Sequence, residues 1–259
     1  MTSAPAAAPP LAVLTDVSVV TVRNLRRILR TPRLLYFASI QPIIFLALFR
    51  YVFGGAIHVP GYTYADYLLP GLIVEATLFG ATTAVALATD LSSGLVDRFR
   101  SLPIARSAVL VARTLADFCR TIGVVAIVIA AGYVVGFRFR NGAVAALAAV
   151  GLVLAFAYAY SWLLAVIGLA VRDAETAQLV STLPMLIFIF ASSLAVPVDT
   201  MPGWMQAFAS NQPVSVTINA VRALTQGGPV WHWAWQSLAW TAALLIVLVP
   251  AAVGLYRRR

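Results

Sequence analysis

A phosphate-binding loop of the form G-x-x-x-x-G-K-[ST] needs a lysine to reach the β- and γ-phosphates of ATP. This chain contains no lysine and no such loop, so it has no ATPase site of its own. Metal chemistry is equally unsupported: there is no H-E-x-x-H, and the two histidines, His58 and His232, stand far apart with no cysteine or carboxylate cluster beside them. No metal site is expected. Cys119 is the single cysteine and sits in an apolar stretch, where an inert packing role fits its surroundings. Proton relays need several carboxylates along one path, yet only Glu75 lies deep in an apolar segment, with Asp90 and Asp117 near segment edges. The remaining groups able to contact a ligand from within apolar segments are hydroxyls: Thr82 and Thr83 near Glu75, and Ser181, Ser192 and Ser193 further along. They are candidate pathway residues, although hydroxyls in such segments also serve helix packing.

The elements that must position these groups follow from composition. The 259 residues are 61% hydrophobic and only 10% charged, with a mean hydropathy of +0.91, far from the surface a soluble domain needs. The net charge of +9 is spread between long apolar runs, which argues for membrane topology and against nucleic acid. Taking about 20 apolar residues for a ~30 Å hydrocarbon core, the chain predicts six spans near 34–56, 67–90, 109–137, 143–171, 177–197 and 233–256. Residues 1–16 read as a cytosolic tail without a basic leader, and 17–259 as one transmembrane domain. With the N-terminus inside, the inner side receives Arg23, Arg26, Arg27, Arg30, Arg33, Arg98, Arg100, Arg106, Arg113, Arg120, Arg172 and Arg257 to Arg259. The outer side receives Arg138, Arg140 and Arg222. Both termini are therefore expected in the cytoplasm. The fold class is an all-α integral membrane protein.

Three further segments carry structure. Val17 to Arg30 separates arginines from apolar residues at 100° per residue, an amphipathic helix for the inner interface, ended by Thr31-Pro32. The stretch LSSGLVDRFRSLP repeats the pattern: Leu91, Leu95, Phe99 and Leu102 form a stripe, Asp97, Arg98 and Arg100 lie off it, and Pro103 stops the helix. This loop helix can lie on lipid headgroups or dock a cytosolic partner. Between the fifth and sixth spans, Pro202 starts a short helix bearing Trp204, Asn211-Gln212-Pro213 breaks it, and a second helix carries Arg222 to Gly227-Gly228. That is a short helical hairpin, able to dip into the outer leaflet or to cap the outer surface.

Two sets of ion pairs are expected. Arg113, Asp117 and Arg120 share one face at i, i+4 and i+7. Arg50 and Glu75 lie roughly 9–12 Å below the outer surface at ~1.5 Å per residue, which would let them pair between the first two spans.

The sequences YVFGG (51–55), YLLPG (67–71), RFRSLPIAR (98–106), AR with LAD (112–117) and NQPVSVTINAVRAL (211–224), in this order, resemble the permease subunit of an ABC-2 type exporter, in its daunorubicin-resistance branch of drug exporters. The resemblance implies a six-helix half-transporter in the bacterial plasma membrane, paired with a second permease copy or a paralogue. It implies two copies of a separate ATP-binding cassette subunit, which would hold the ATP and Mg; this chain would bind no cofactor, and its other partner would be membrane lipid. By the same resemblance, Leu95, Asp97, Arg98, Phe99, Arg100, Leu102 and Pro103 would form the contact with the ATPase subunit. Arg50 is a departure, standing where the family pattern leads one to expect an uncharged residue. The implied cargo is a hydrophobic or amphipathic small molecule: drug-, antibiotic- or lipid-like. A polysaccharide or lipid-linked glycan permease, a stand-alone proton-coupled transporter and a scaffold remain the alternatives.

Overall fold

The structure, a computed structural model, describes residues 32–57, 59, 61–79, 82–92, 106–171 and 173–258. Among them there is no strand. The order is α1 (Pro32–Leu48), a π-helical turn (Phe49–Phe53), α2 (Tyr64–Leu78), α3 (Thr82–Ser92), α4 (Arg106–Val134), α5 (Gly142–Ala170), α6 (Ala174–Phe190), a 3₁₀ turn (Val198–Thr200), α7 (Gly203–Asn211), α8 (Pro213–Gln226) and α9 (Val230–Arg258). Among the described residues, four stretches are long and apolar enough to cross a membrane: Tyr64–Ser92, Arg113–Val134, Gly142–Ala170 and Val230–Tyr256. Two apolar helices are shorter, Ala38–Phe53 and Ala174–Phe190. The interfacial helix expected over 17–30 and the loop residues Leu95, Asp97, Arg98, Phe99, Arg100, Leu102 and Pro103 lie outside the described residues.

α2 is the axis of the bundle. All of its residues are buried, and α1, α4, α5 and α8 pack around it. A helix apolar on most of its surface suits burial all round, and its two carboxylates, Asp66 and Glu75, are met by Arg140 and Gln41. Leu68, Leu69, Leu72 and Val74 of α2 meet Val124 and Val128 of α4, Phe156 of α5 and Ile218 of α8 in the main core. α9 is the opposite case: only 11% of its apolar window is buried. It turns Trp235, Leu238, Ile246 and Val247 outward, as a helix facing lipid or another membrane helix does.

The stretch expected as a span near 67–90 falls within Tyr64–Ser92, but it holds two helices, because Phe79 leaves α2 in an extended conformation (φ −74°, ψ 127°). Hydropathy runs unbroken across this point, and the sequence signal was the helix-weakening Gly80 that follows. The break lets α3 close onto α5 and α6. At Gly168 of α5 a side-chain Cβ would fall 2.8 Å from the Cα of Ala84, so only glycine permits that approach. The helix of the fifth span, α6, ends at Phe190, short of the 197 expected as the end of the span. There Ser192 Oγ donates to the Ile189 carbonyl at 2.5 Å and accepts from the Leu194 amide at 3.2 Å. Serine competes in this way with the helix ladder. The freed segment packs on α2, where a Cβ on Gly71 would come 3.0 Å from the Leu194 Cα.

Candidate functional site

α8 begins where Gln212 caps it. The Gln212 side-chain oxygen accepts from the Val214 amide at 2.9 Å, and Pro213 occupies the first turn, where it forfeits no helical hydrogen bond. The same Gln212 side chain donates to the Phe188 carbonyl at 2.8 Å and to Ser215 Oγ at 3.1 Å. From there a polar stripe runs along the helix at 212, 215, 219 and 222, the i, i+3, i+7, i+10 spacing of one face. Ser215 Oγ accepts from the Ser193 amide at 3.1 Å, and Asn219 Oδ1 accepts from Ser193 Oγ at 2.9 Å and from Arg222 Nη1 at 2.8 Å. Thr217, on the other side, meets Ser237 of α9 at 2.9 Å.

Arg222 completes the joint. It is 6% exposed, and its guanidinium donates to the Tyr67 carbonyl through Nε (3.1 Å) and Nη2 (3.0 Å) and to the Ser193 carbonyl through Nη2 (2.8 Å). It also lies flat over the Tyr67 ring, 3.7 Å from the centroid. A planar fork suits this geometry because it can serve two carbonyls and a side-chain amide at once while stacking on an aromatic face. One side chain thus ties the first turn of α2, the segment after α6 and α8 together. The expected outer-hairpin residues divide around it. Trp204 is 74% exposed on α7, Asn211 donates to the Ala207 carbonyl at 2.9 Å, and Pro213 and Arg222 belong to α8. Tyr67, Gln212, Ser215 and Asn219 were not assigned to a site from the sequence, although the stripe that Gln212, Ser215 and Asn219 share on α8 was a readable signal.

A second polar seam joins α3 to α4. Thr83 Oγ1 donates to Asp117 at 2.9 Å, Arg120 Nε donates to Asp117 at 2.8 Å, and Arg113 reaches Asp90 at 3.3 Å. The Arg113, Asp117 and Arg120 face therefore serves the junction with α3 as well as its own helix. Arg113 and Asp90 are each about one-third exposed (34% and 30%), so solvent screens their pair. Elsewhere Asp66 of α2, 1% exposed, pairs with Arg140 at 2.6 Å, and the Arg140 amide donates to the Thr225 carbonyl at 2.9 Å. This link between α2, α8 and the α4–α5 connection was also missed.

The expected Arg50–Glu75 pair is not formed. Glu75 is fully buried and accepts from Gln41 of α1 at 2.6 Å, while Arg50 lies in the π-helical turn with no salt bridge among the described residues. Equal depth did not bring them together, because depth leaves the rotation of each helix about its axis unset. Of the hydroxyls, Ser192 bonds within the turn that ends α6, Ser193 is held in the α8 joint, Thr83 in the α3–α4 seam, and Ser181 is buried with no partner for its Oγ. Thr82 starts α3, and its side chain lies outside the described residues. Ser193 also lines an open cleft.

The family model described as ABC-2 type transporter matches residues 15–225, which takes in α1 through α8 and the whole Arg222 joint. The chain belongs to the ABC-2 type transporter family. Within it, the chain is 32% identical over 221 residues to the daunorubicin resistance ABC transporter permease protein DrrB1 of Streptomyces coeruleorubidus, covering 85% of this chain and 78% of that one. It is 32% identical over 224 residues to the probable doxorubicin resistance ABC transporter permease protein DrrC of Mycobacterium tuberculosis (85% and 80%). The doxorubicin resistance ABC transporter permease protein DrrB of the same organism is 30% identical over 233 residues (84% and 81%). The ABC-2 match ends at the last turn of α8, and all of α9 lies beyond it.

Proposed function

We propose that this chain is the membrane-spanning permease subunit of an ATP-driven exporter that moves a hydrophobic or amphipathic small molecule out of the cell. The observation that carries the reading is the likeness, over 84–85% of the chain, to permeases whose names record resistance to daunorubicin or doxorubicin. Six crossings are built from the four long apolar stretches together with α1 and α6. α6 has 17 residues, roughly 25 Å at ~1.5 Å per residue. The buried segment after it makes up the remaining depth, where protein covers the non-helical backbone. The arginine distribution supports a topology with both termini in the cytoplasm and the α8 joint near the outer face, and the bacterial organisms of the relatives support a bacterial plasma membrane. α7 and α8 then form the outer hairpin, with Trp204 at headgroup depth.

ATP and Mg belong to a separate cassette subunit, two copies per transporter, docked on the loop from Leu95 to Pro103. Force entering there reaches α3 and α4, which bracket the loop and are fastened to each other through Asp117 and the Arg113–Asp90 pair. The break after α2 lets this inner half of the second span move while α2 stays fixed in the core. The exposed apolar faces of α6 and α9 meet lipid and a second permease copy or paralogue.

One observation favours a second reading. Glu75 is a carboxyl buried in mid-span, and no salt bridge among the described residues includes it; this is the type of group a proton-coupled transporter uses. ATP-driven uptake of a fluorescent amphipathic drug into inverted vesicles separates the two. Uptake that persists under an uncoupler at constant ATP supports the exporter; uptake that collapses under those conditions refutes it and selects proton coupling.

A further inference from the structure

A cleft of about 340 Å³ opens at the α8 end, between the loop before α2, the 3₁₀ turn and the start of α9. Three aromatic side chains, Tyr62, Tyr67 and Trp233, and two charged ones, Asp199 and Arg222, line it. The rings of Tyr62 and Tyr67 are 6.3 Å apart at 63° to one another; Arg222 already sits over the Tyr67 ring, which leaves Tyr62 and Trp233 as the aromatic lining for a cation.

The two charges are not equivalent. Arg222 donates through Nε, Nη1 and Nη2 to protein acceptors and spends one face on the Tyr67 ring. It keeps no free fork with which to clasp a carboxylate or phosphate. Asp199 is exposed, and no salt bridge among the described residues includes it. The uncommitted charge in the cleft is negative and the ring faces are electron-rich, so both select a cation. The apolar walls of Pro197 and Val198 favour one with an organic body. The charge of Arg222 opposes any cation held deep in the cleft, so the ligand's charge belongs at Asp199 with its apolar part inward.

We propose that this cleft binds an organic ammonium group through the carboxylate of Asp199 and the rings of Tyr62 and Trp233. Such a group has two sources, the amine headgroup of a surrounding lipid and an amine on the exported molecule. The second source rests on the exporter reading, and the first does not.

Benzyltrimethylammonium titrated calorimetrically into the full chain, purified in an uncharged detergent, tests the site. Saturable binding that Asp199→Asn weakens about tenfold or more, that Asp199→Glu retains and that Trp233→Ala also weakens supports the proposal. No saturable binding, or affinities unchanged in Asp199→Asn and Trp233→Ala, overturns it. Asp199 is exposed and unpaired, so its replacement keeps the fold, and Asp199→Asn alone decides if Trp233→Ala does not accumulate. Repeating the titration in nanodiscs separates the sources. Weaker apparent binding in phosphatidylethanolamine than in phosphatidylglycerol assigns the site to the headgroup, and equal binding assigns it to cargo. Drug uptake driven by ATP is scored independently, so a site that binds the probe in a protein that moves nothing refutes the exporter and leaves the site standing.

Discussion

Replacing Arg222 by lysine and, separately, by methionine tests what holds the α8 joint together. The guanidinium serves the Tyr67 carbonyl twice, the Ser193 carbonyl and Asn219, all between 2.8 and 3.1 Å, and stacks 3.7 Å over the Tyr67 ring. Lysine keeps the charge but offers three donors at a single point and no plane. It can satisfy one of the two carbonyls and loses the stack. A charge-assisted bond is worth about 1.5–3 kcal/mol, and a desolvated stack of cation on ring about 2 kcal/mol. Losing roughly one of each, with the burial cost of the charge still present, destabilises by about 3–5 kcal/mol. Methionine loses all these bonds yet also removes the burial cost, which amounts to several kcal/mol per ion. The Ser193 carbonyl still accepts from the Tyr67 hydroxyl at 3.2 Å, and the net loss for methionine falls to about 1–3 kcal/mol. The expected order of stability is therefore arginine, then methionine, then lysine, read from thermal unfolding of the purified chain in detergent. A lysine variant as stable as the wild type, or more stable than the methionine variant, refutes the argument that fork geometry is what matters.

Changing Phe99 to Asp is expected to abolish co-purification of the cassette subunit while membrane insertion stays normal; retained co-purification with normal ATP-driven transport removes the docking role of the loop. Arg50→Glu and Glu75→Arg are each expected to lower the yield of folded protein and to add in the double exchange, since Glu75 is bonded to Gln41; recovery of yield in the double variant would contradict that geometry. Asp173 caps α6, and the hydrogen bond from the Thr176 backbone amide, at 2.7 Å to its carboxylate, holds its carboxyl below the ordinary value. A lowered folded value means that the cap stabilises above the unfolded carboxyl range and is lost as pH falls through the folded value. Amide exchange at residues 174–177 is accordingly expected to quicken on acidification in the wild type and to respond less in Asp173→Asn; matching pH profiles for the two would remove the cap from the account.

Class, approximate helix positions and the break between α7 and α8 were legible in the chain because the physics behind them is local. Apolar length reports whether a segment can cross a bilayer, and Pro202, Pro213 and Gly227-Gly228 act within a turn or two of where they stand. The NQPVSVTINAVRAL motif also marked the right segment, since every polar residue the joint uses on α8 lies within it. What those residues bond to was a different matter. The side chain of Arg222 meets carbonyls 155 and 29 residues away, and no spacing rule reaches that far. Glu75 shows the limit most plainly: its depth could be counted from the sequence, but its partner is Gln41 and not Arg50. Each residue turns a helix by about 100°, so depth leaves azimuth open, and only packing against neighbouring helices sets it. The break after Leu78 belongs to the same class, because the apolar run continues through it and the closeness of Ala84 to Gly168 is seen only once α3 and α5 are side by side.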